Sequence, residues 1–295
     1  MEDKPLPVGN HKRRTAIRNL FGLMLGTVLL PRFARANPKP FRVGLTPAFV
    51  HDEYSLMEEW RHYLEGKLGR PIEFVLRDSY RETMDLLHQE KLDFAWLCDY
   101  PFVYLKDTVR LLAVPLNQGR PTYRSYLIVS ADDTTHKKLQ DLKGTVFAYS
   151  DPFSNTGYLV PRYQIQQLGQ DPKTFFKKTF FTWSHRKAIA AVASGLAKGA
   201  AIDSFVWDTL ARFKPELTAK TRIIDRSPEF GFPPFVAQRA VSQTDFQSMQ
   251  ATLLGMENDP VGKPMLDRLN ISGFVVGERR MYDAVTKMMH AFGEI

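Results

Sequence analysis

Between residues 41 and 213, short runs of β-branched, aromatic and aliphatic residues alternate with segments whose apolar residues recur at helical spacing. This alternation is the strongest constraint on the fold. Phe41-Arg42-Val43-Gly44-Leu45 reads as a strand closed by Thr46-Pro47. Residues 53–68 place Leu56, Trp60, Tyr63, Leu64 and Leu68 at helical spacing and stop at Gly69. Residues 72–76 alternate as a second strand, 83–89 are helical, and 92–97 form a third strand. Strands joined by helices predict parallel βαβ units with right-handed crossovers.

A second series follows Pro121. Strand patterns over 126–129, 145–148, 178–181 and 200–202 are separated by helical patterns over 156–168, 185–195 and 205–213. The run from Ser227 to Pro234 (SPEFGFPP) is a turn-rich connector, and the chain beyond it reads as mainly helical, over 243–256, 261–269 and 280–292. Two α/β series with two crossings predict two lobes: residues 37–122 completed by 239–295, and residues 123–238. A cleft lined by loops at the carboxyl ends of strands is then expected between them.

The chain has 295 residues, a net charge of +8 and one cysteine. One cysteine excludes a disulfide framework and any multi-thiolate metal site. Residues 1–36 carry seven of the 40 Lys+Arg and two of the 32 Asp+Glu, so 33 bases face 30 acids over residues 37–295. The basic excess lies mostly in the N-terminal segment, which removes most support for nucleic-acid binding. That segment has a charged stretch, His11-Lys12-Arg13-Arg14, an apolar core from Leu20 to Leu30, Pro31, and Ala34-Arg35-Ala36. This is the layout of a cleaved export signal. Its core is shorter than the about 20 residues needed to span a bilayer. Arg13-Arg14-Thr15-Ala16-Ile17 resembles a twin-arginine signal, with Ala16 where that pattern prefers Phe. The expectation is a leader over 1–36 and a mature protein working in the periplasm, with no membrane insertion after cleavage.

The most informative segment for chemistry is Ala148-Tyr149-Ser150-Asp151-Pro152-Phe153-Ser154-Asn155-Thr156-Gly157-Tyr158. A strand ends, a turn follows, and small hydroxyl and amide residues open a helix. Free backbone N–H groups and the positive helix end there favour an anion. Ser154, Asn155 and Thr156 add side-chain donors, and Gly157 permits close backbone approach. The same residues also suit an ordinary helix N-cap, and the local pattern alone does not separate the two.

Here the sequence resembles the periplasmic phosphonate/phosphate-type substrate-binding proteins of ABC importers. The run from Ser150 to Gly157 is similar to the family's D-P-x-S-x-S-G oxyanion loop, with Thr156 at the last Ser. Gly44-Leu45-Thr46-Pro47 resembles its first strand and turn, and residues 91–97 (KLDFAWL) its strand entering the cleft. Trp183-Ser184-His185, residues 190–195 (AAVASG) and 200–204 (AIDS within AAIDS) resemble a further run of the family. The resemblance implies an α/β, two-lobed periplasmic-binding-protein (venus-flytrap, type II) fold. It also implies an oxyanion held at Ser154, Asn155, Thr156 and Gly157, with Tyr80 and His185 facing it. Alone, Tyr80 equally reads as a half-buried aromatic capping a helix, and His185 as a structural residue at a helix start. Asp203 reads as a residue securing its turn.

Two departures bear on the ligand. Phe232-Pro233-Pro234-Phe235 stands where aminoalkylphosphonate binders of the family place an acid, so nothing there pairs an ammonium. Cys98-Asp99 stands where many relatives have Gly. Cys98 reads either as a small buried hydrophobe or as a thiophilic ligand contact. Some members resemble sensors that bind arsenite through one pocket cysteine and signal to a membrane histidine kinase. Three functions follow: a receptor delivering a small oxyanion to an ABC permease, a ligand sensor docking on a kinase, and a cysteine enzyme. No HExxH, GxSxG or P-loop pattern is present. The receptor is the expected reading, acting as a monomer without catalysis, cofactor or metal.

Overall fold

The computed structural model describes residues 39–46 and 54–295. The leader pattern over 1–36 and the turn at Pro47 lie outside the described residues. In chain order the strands are β1 (Phe41–Leu45), β2 (Ile72–Leu76), β3 (Phe94–Trp96), β4 (Val109–Leu116), β5 (Thr122–Tyr123), β6 (Ser125–Ser130) and β7 (Val146–Tyr149). They continue with β8 (Lys178–Phe181), β9 (Gly199–Asp203), β10 (Thr221–Arg226), β11 (Phe230–Gly231), β12 (Phe235–Gln238) and β13 (Gly273–Val275).

The strands form two main sheets, ordered β13-β4-β12-β3-β1-β2 and β10-β6-β9-β7-β8, and a small β11-β5 pair where the chain crosses between them. The expected parallel units are present: β1 pairs in parallel with β2 and β3, and β7 with β8 and β9. The sheets are mixed, however. β12 runs antiparallel to both β3 and β4, and β6 antiparallel to β9 and β10. The chain also rejoins the first sheet earlier than residue 239, because β12 inserts between β3 and β4. A strand that central is apolar on both faces, and all four residues of β12 are buried.

The first lobe closes around Trp60, on helix Tyr54–Leu68, which meets Trp96 of β3 and Phe235 of β12 edge-on at 6.2 and 6.0 Å between ring centroids. Fully burying side chains of this size stabilises by about 1.5–3 kcal/mol each. In the second lobe Phe147 of β7 stacks on Phe176 at 4.2 Å. Helix Tyr80–His88 begins with a reciprocal cap: Ser79 Oγ accepts from the Glu82 N–H, and Glu82 Oε2 accepts from the Ser79 N–H. That cap fixes the start of the helix and sets Tyr80 as its first residue, pointing inward. Both β3 and β7 end at the cleft, and the residues that follow them supply its two walls.

Candidate functional site

The 150–157 loop follows β7 and is shaped by a proline four residues beyond it. The sequence pattern predicts a helix from residue 156, but Asn155–Leu159 forms a π-helical turn before the α-helix Val160–Gln167. Pro161 has no N–H to give the Gly157 carbonyl, so that carbonyl accepts instead from the Ser150 N–H at 3.4 Å. The Leu159 N–H reaches back five residues to the Ser154 carbonyl at 3.0 Å, and Ser125 Oγ donates to the Thr156 carbonyl at 2.7 Å. Wide turns of this kind recur at functional sites. Gly157 is required by space: a Cβ there would stand 1.9 Å from Ser150 Oγ and 2.8 Å from His185 Cε1.

Hydrogen-bond accounting then fixes where the loop's hydroxyl hydrogens go. His185, first residue of helix His185–Ala193, accepts the Asp203 N–H at Nδ1 over 3.1 Å. Burial holds its pKa down at about 3, so the ring is neutral and carries its proton on Nε2. Nε2 lies 3.2 Å from Ser154 Oγ and donates to it. Ser154 Oγ also accepts the Gly157 N–H at 3.0 Å, so its own hydrogen is left over for another acceptor. Ser150 Oγ and Thr156 Oγ1 are buried with no hydrogen-bond partner among the described residues. Three buried hydroxyls on one loop therefore hold unspent donor capacity, an arrangement that is costly unless something fills it.

The opposite wall follows β3. Asp99 opens the short helix Asp99–Tyr104, and its buried carboxylate collects four donors. Oδ1 accepts from the Cys98 thiol at 3.0 Å, the Tyr123 hydroxyl at 2.7 Å and the Tyr100 N–H at 3.1 Å. Oδ2 accepts from Asn155 Nδ2 at 2.7 Å, which joins the two walls. A second bridge runs from the Tyr80 N–H to Asp151 Oδ2 at 3.1 Å. Burial pushes the Asp99 pKa up to about 6, opposed by the bonds from Tyr123, Cys98 and Tyr100. Burial pushes Asp203 up to about 8, although it caps the Phe205 and Val206 N–H groups. Burial, and then the Asp99 charge, hold the Cys98 thiol well above its ordinary range, which works against the thiolate a thiophilic contact requires.

All seven residues singled out in the sequence lie around these two walls. Ser154, Gly157 and His185 touch directly, and Thr156 presents its unpartnered hydroxyl from the same turn. Tyr80 is tied to the loop through Asp151, and its pKa is raised by burial and by neighbouring Cys98, Asp151, Asp203 and Asp99. Asn155 differs from expectation, because its amide nitrogen is spent on Asp99 and on Tyr123, the latter at 3.3 Å. Cys98 lies in the wall as a buried thiol. Asp203 does secure its turn, as expected. Trp96 is fully buried with Nε1 bonded to the Pro233 carbonyl, and Trp183 is 45% exposed. Two further residues, Ser150 and Tyr123, belong to these walls and are not among the seven. Ser150 was legible, since it lies inside the motif; Tyr123 was not, because its partners are 24 and 32 residues away. Among the described residues no group of His, Cys, Asp and Glu could hold a metal ion.

A family model described as ABC transporter, phosphonate, periplasmic substrate-binding protein matches residues 43–282. The chain belongs to this family. It is 25% identical over 260 residues to the phosphonates-binding periplasmic protein of Escherichia coli (strain K12), covering 85% of this chain and 76% of that one. It is 22% identical over 276 residues to a probable ABC transporter phosphite binding protein, PhnD1, of Prochlorococcus marinus (strain MIT 9301), covering 88% and 92%. The structure of that PhnD1 in complex with methylphosphonate superposes with a TM-score of 0.79 at 21% identity, covering 88% of this chain and all of that one. The family's two-lobed periplasmic-binding-protein fold is thus the fold of this chain. No helix among the described residues is long and apolar enough to cross a membrane.

Proposed function

We propose that this protein captures a small phosphorus oxyanion (phosphate, phosphite or a small phosphonate) in the cleft between its lobes and hands it to an ABC permease. The observation that carries the reading is the trio of buried hydroxyls, Ser150, Ser154 and Thr156, whose hydrogens have no acceptor among the described residues. His185 Nε2–H holds Ser154 Oγ in place, and the Tyr80 N–H ties its helix to Asp151 of the same loop. Such a set of fixed donors suits several oxygens of one small anion and needs no cation. The family's relatives, named for phosphonates and phosphite, support the same ligand class. Binding rather than catalysis fits the chemistry, because the one thiol is held protonated and His185 is neutral with both ring nitrogens engaged. The pattern over residues 1–36 supports export to the periplasm, with Arg13-Arg14 favouring the twin-arginine route. Lobe one then comprises the β1–β4 segment with β12 onward, and lobe two the segment from β6 to β10.

Thermal unfolding against phosphate, phosphite, methylphosphonate, sulfate, arsenate and arsenite tests this reading. A ligand at about 100 times its dissociation constant adds about 2.7 kcal/mol of stability. A raised midpoint with at least one phosphorus oxyanion is expected. No shift with any of them would remove the reading, and a shift with arsenite alone would transfer the function to Cys98.

A further inference from the structure

A further cavity, of about 490 Å³, lies beside the second crossing, and none of its lining residues belongs to the two walls of the cleft. Its apolar lining comes from both lobes. Lobe two gives Leu139 of the turn Leu139–Leu142, Val160 at the start of helix Val160–Gln167, and Leu168 just beyond that helix. Lobe one gives Ala284 and Met288 of helix Asp283–Ala291, and Phe230 of β11 lies where the chain crosses between them. Cavities of roughly 300–1,000 Å³ with apolar walls are the usual size of small-molecule sites. The rim is balanced in charge. Asp225 and Lys287 bring one charge of each sign, and Glu229 is paired with Arg120 and Arg124. The Tyr163 hydroxyl and the Gln164 amide also line the cavity, and among the described residues neither has a hydrogen-bond partner. Apolar walls call for an apolar body, a balanced rim gives no advantage to a net charge, and the phenol and amide suit one hydrogen-bonding group at the ligand's edge.

The place of this cavity links it to the cleft. Helix Val160–Gln167 leads straight out of the π-helical turn that carries Thr156 and Gly157. The walls of the cleft are bonded to each other, Asn155 to Asp99 and the Tyr80 N–H to Asp151, so the cavity is a feature of the closed arrangement. Rotation of one lobe against the other moves helix Asp283–Ala291 relative to helix Val160–Gln167 and changes the cavity's shape. A molecule that fits the shape seen here binds the closed arrangement better than any other. We propose that this cavity is a second binding site, for a neutral, mainly apolar small molecule with a hydrogen-bonding group at one edge, and that its occupant clamps the lobes closed and tightens oxyanion capture. The tightening rests on the proposed reading of the cleft, whereas the site and the clamp do not. By linkage the two ligands strengthen each other's binding by the same factor.

N-phenyl-1-naphthylamine, a neutral aromatic amine whose emission rises in apolar surroundings, is the probe, titrated into the purified protein. Saturable binding at one site per chain is expected, and calorimetry should show methylphosphonate bound at least about fivefold more tightly in its presence. Ala284→Trp fills the cavity from an exposed position, and Leu168→Glu sets a charge in its apolar mouth, where Leu168 is already 39% exposed. Both should weaken probe binding at least about tenfold and leave methylphosphonate affinity without the probe unchanged. No saturable probe binding, or binding untouched by either variant, overturns the inference. Displacement of the probe by methylphosphonate overturns it too, by placing the probe in the cleft, as does probe binding with no effect on methylphosphonate affinity. Loss of probe binding as the protein dimerises at higher concentration overturns it by assigning this face to a second copy. If methylphosphonate does not bind at all, the proposed function fails and the radius of gyration from X-ray scattering decides the clamp: a fall on adding the probe supports it, and no change overturns it.

Discussion

The two walls of the cleft are built from the same kind of junction, a strand ending at the opening of a helix, and they do opposite things with it. After β7 the chain leaves hydroxyl hydrogens unspent: among the described residues Ser150 and Thr156 have no partner, and Ser154 accepts twice without donating. After β3 the donors are spent instead, with four of them converging on Asp99. Leaving buried donors unpaired costs stability, and saturating a buried carboxylate recovers it. The contrast separates two kinds of wall, with unspent hydroxyl donors on the second lobe and a carboxylate that gathers donors on the first.

The largest change should come from filling the space the loop needs. In Gly157→Ala the new methyl overlaps Ser150 Oγ, at 1.9 Å, so Ser150 and His185 must both move. Two charge-assisted bonds at about 1–3 kcal/mol each would then be misplaced, and calorimetry should show oxyanion binding weakened by roughly a hundredfold or more. Next, Thr156→Val removes one unpartnered hydroxyl and should weaken binding by about 1–3 kcal/mol. The ligand-free protein should be equally or more stable by thermal unfolding, because a buried orphan has gone. A destabilised ligand-free variant with normal affinity would place Thr156 among structural residues and erase the contrast.

The pH response of stability probes the carboxylate side more gently. Asp203 is raised from about 3.9 in an unfolded chain to about 8 in the fold. Its native state therefore binds the proton more tightly, and its contribution to stability is lost as pH rises from about 4 through about 8. Asp203→Asn keeps an oxygen for the Phe205 and Val206 N–H groups, so its urea midpoint relative to the unsubstituted protein should improve between pH 5 and pH 8.5. His185, held down at about 3, acts in the opposite sense: its contribution is lost as pH falls from about 6.5. The smallest effect is expected at the rim. Arg162 Nη1 meets Glu294 Oε1 at 2.8 Å, and Glu294 Oε2 accepts from the Tyr100 hydroxyl at 3.0 Å, joining the lobes outside the two walls. Arg162→Met should change affinity by no more than the about 1 kcal/mol typical of such pairs, measured by the same titration.

What could be read from the sequence divides along the same line. The hydroxyl loop is one continuous segment, and its chemistry follows from residue types a few positions apart. The strands β1, β2, β6 and β8 are equally local, each a short apolar or alternating run between turn signals. The carboxylate wall is not local: Asp99 meets Asn155 across 56 residues, and Asp151 meets Tyr80 across 71. No spacing rule reaches that far. β12 was hidden for a related reason, since Phe235-Val236-Ala237-Gln238 follows two prolines and becomes a strand only through pairing with β3 and β4 on either side. The π-helical turn was half legible: Pro161 marks where the helix must loosen, but the carbonyl it frees finds its donor in Ser150 only once β7 is in place.

The most direct test is titration of methylphosphonate and phosphite into the protein and into a Ser150→Ala, Thr156→Val double variant. The account predicts saturable binding by the unsubstituted protein, at least roughly a hundredfold weaker binding by the double variant, and a ligand-free thermal midpoint that does not fall. Equal affinity in the two proteins would contradict it, because the anion would then lie somewhere other than against the unspent hydroxyls of the 150–157 loop.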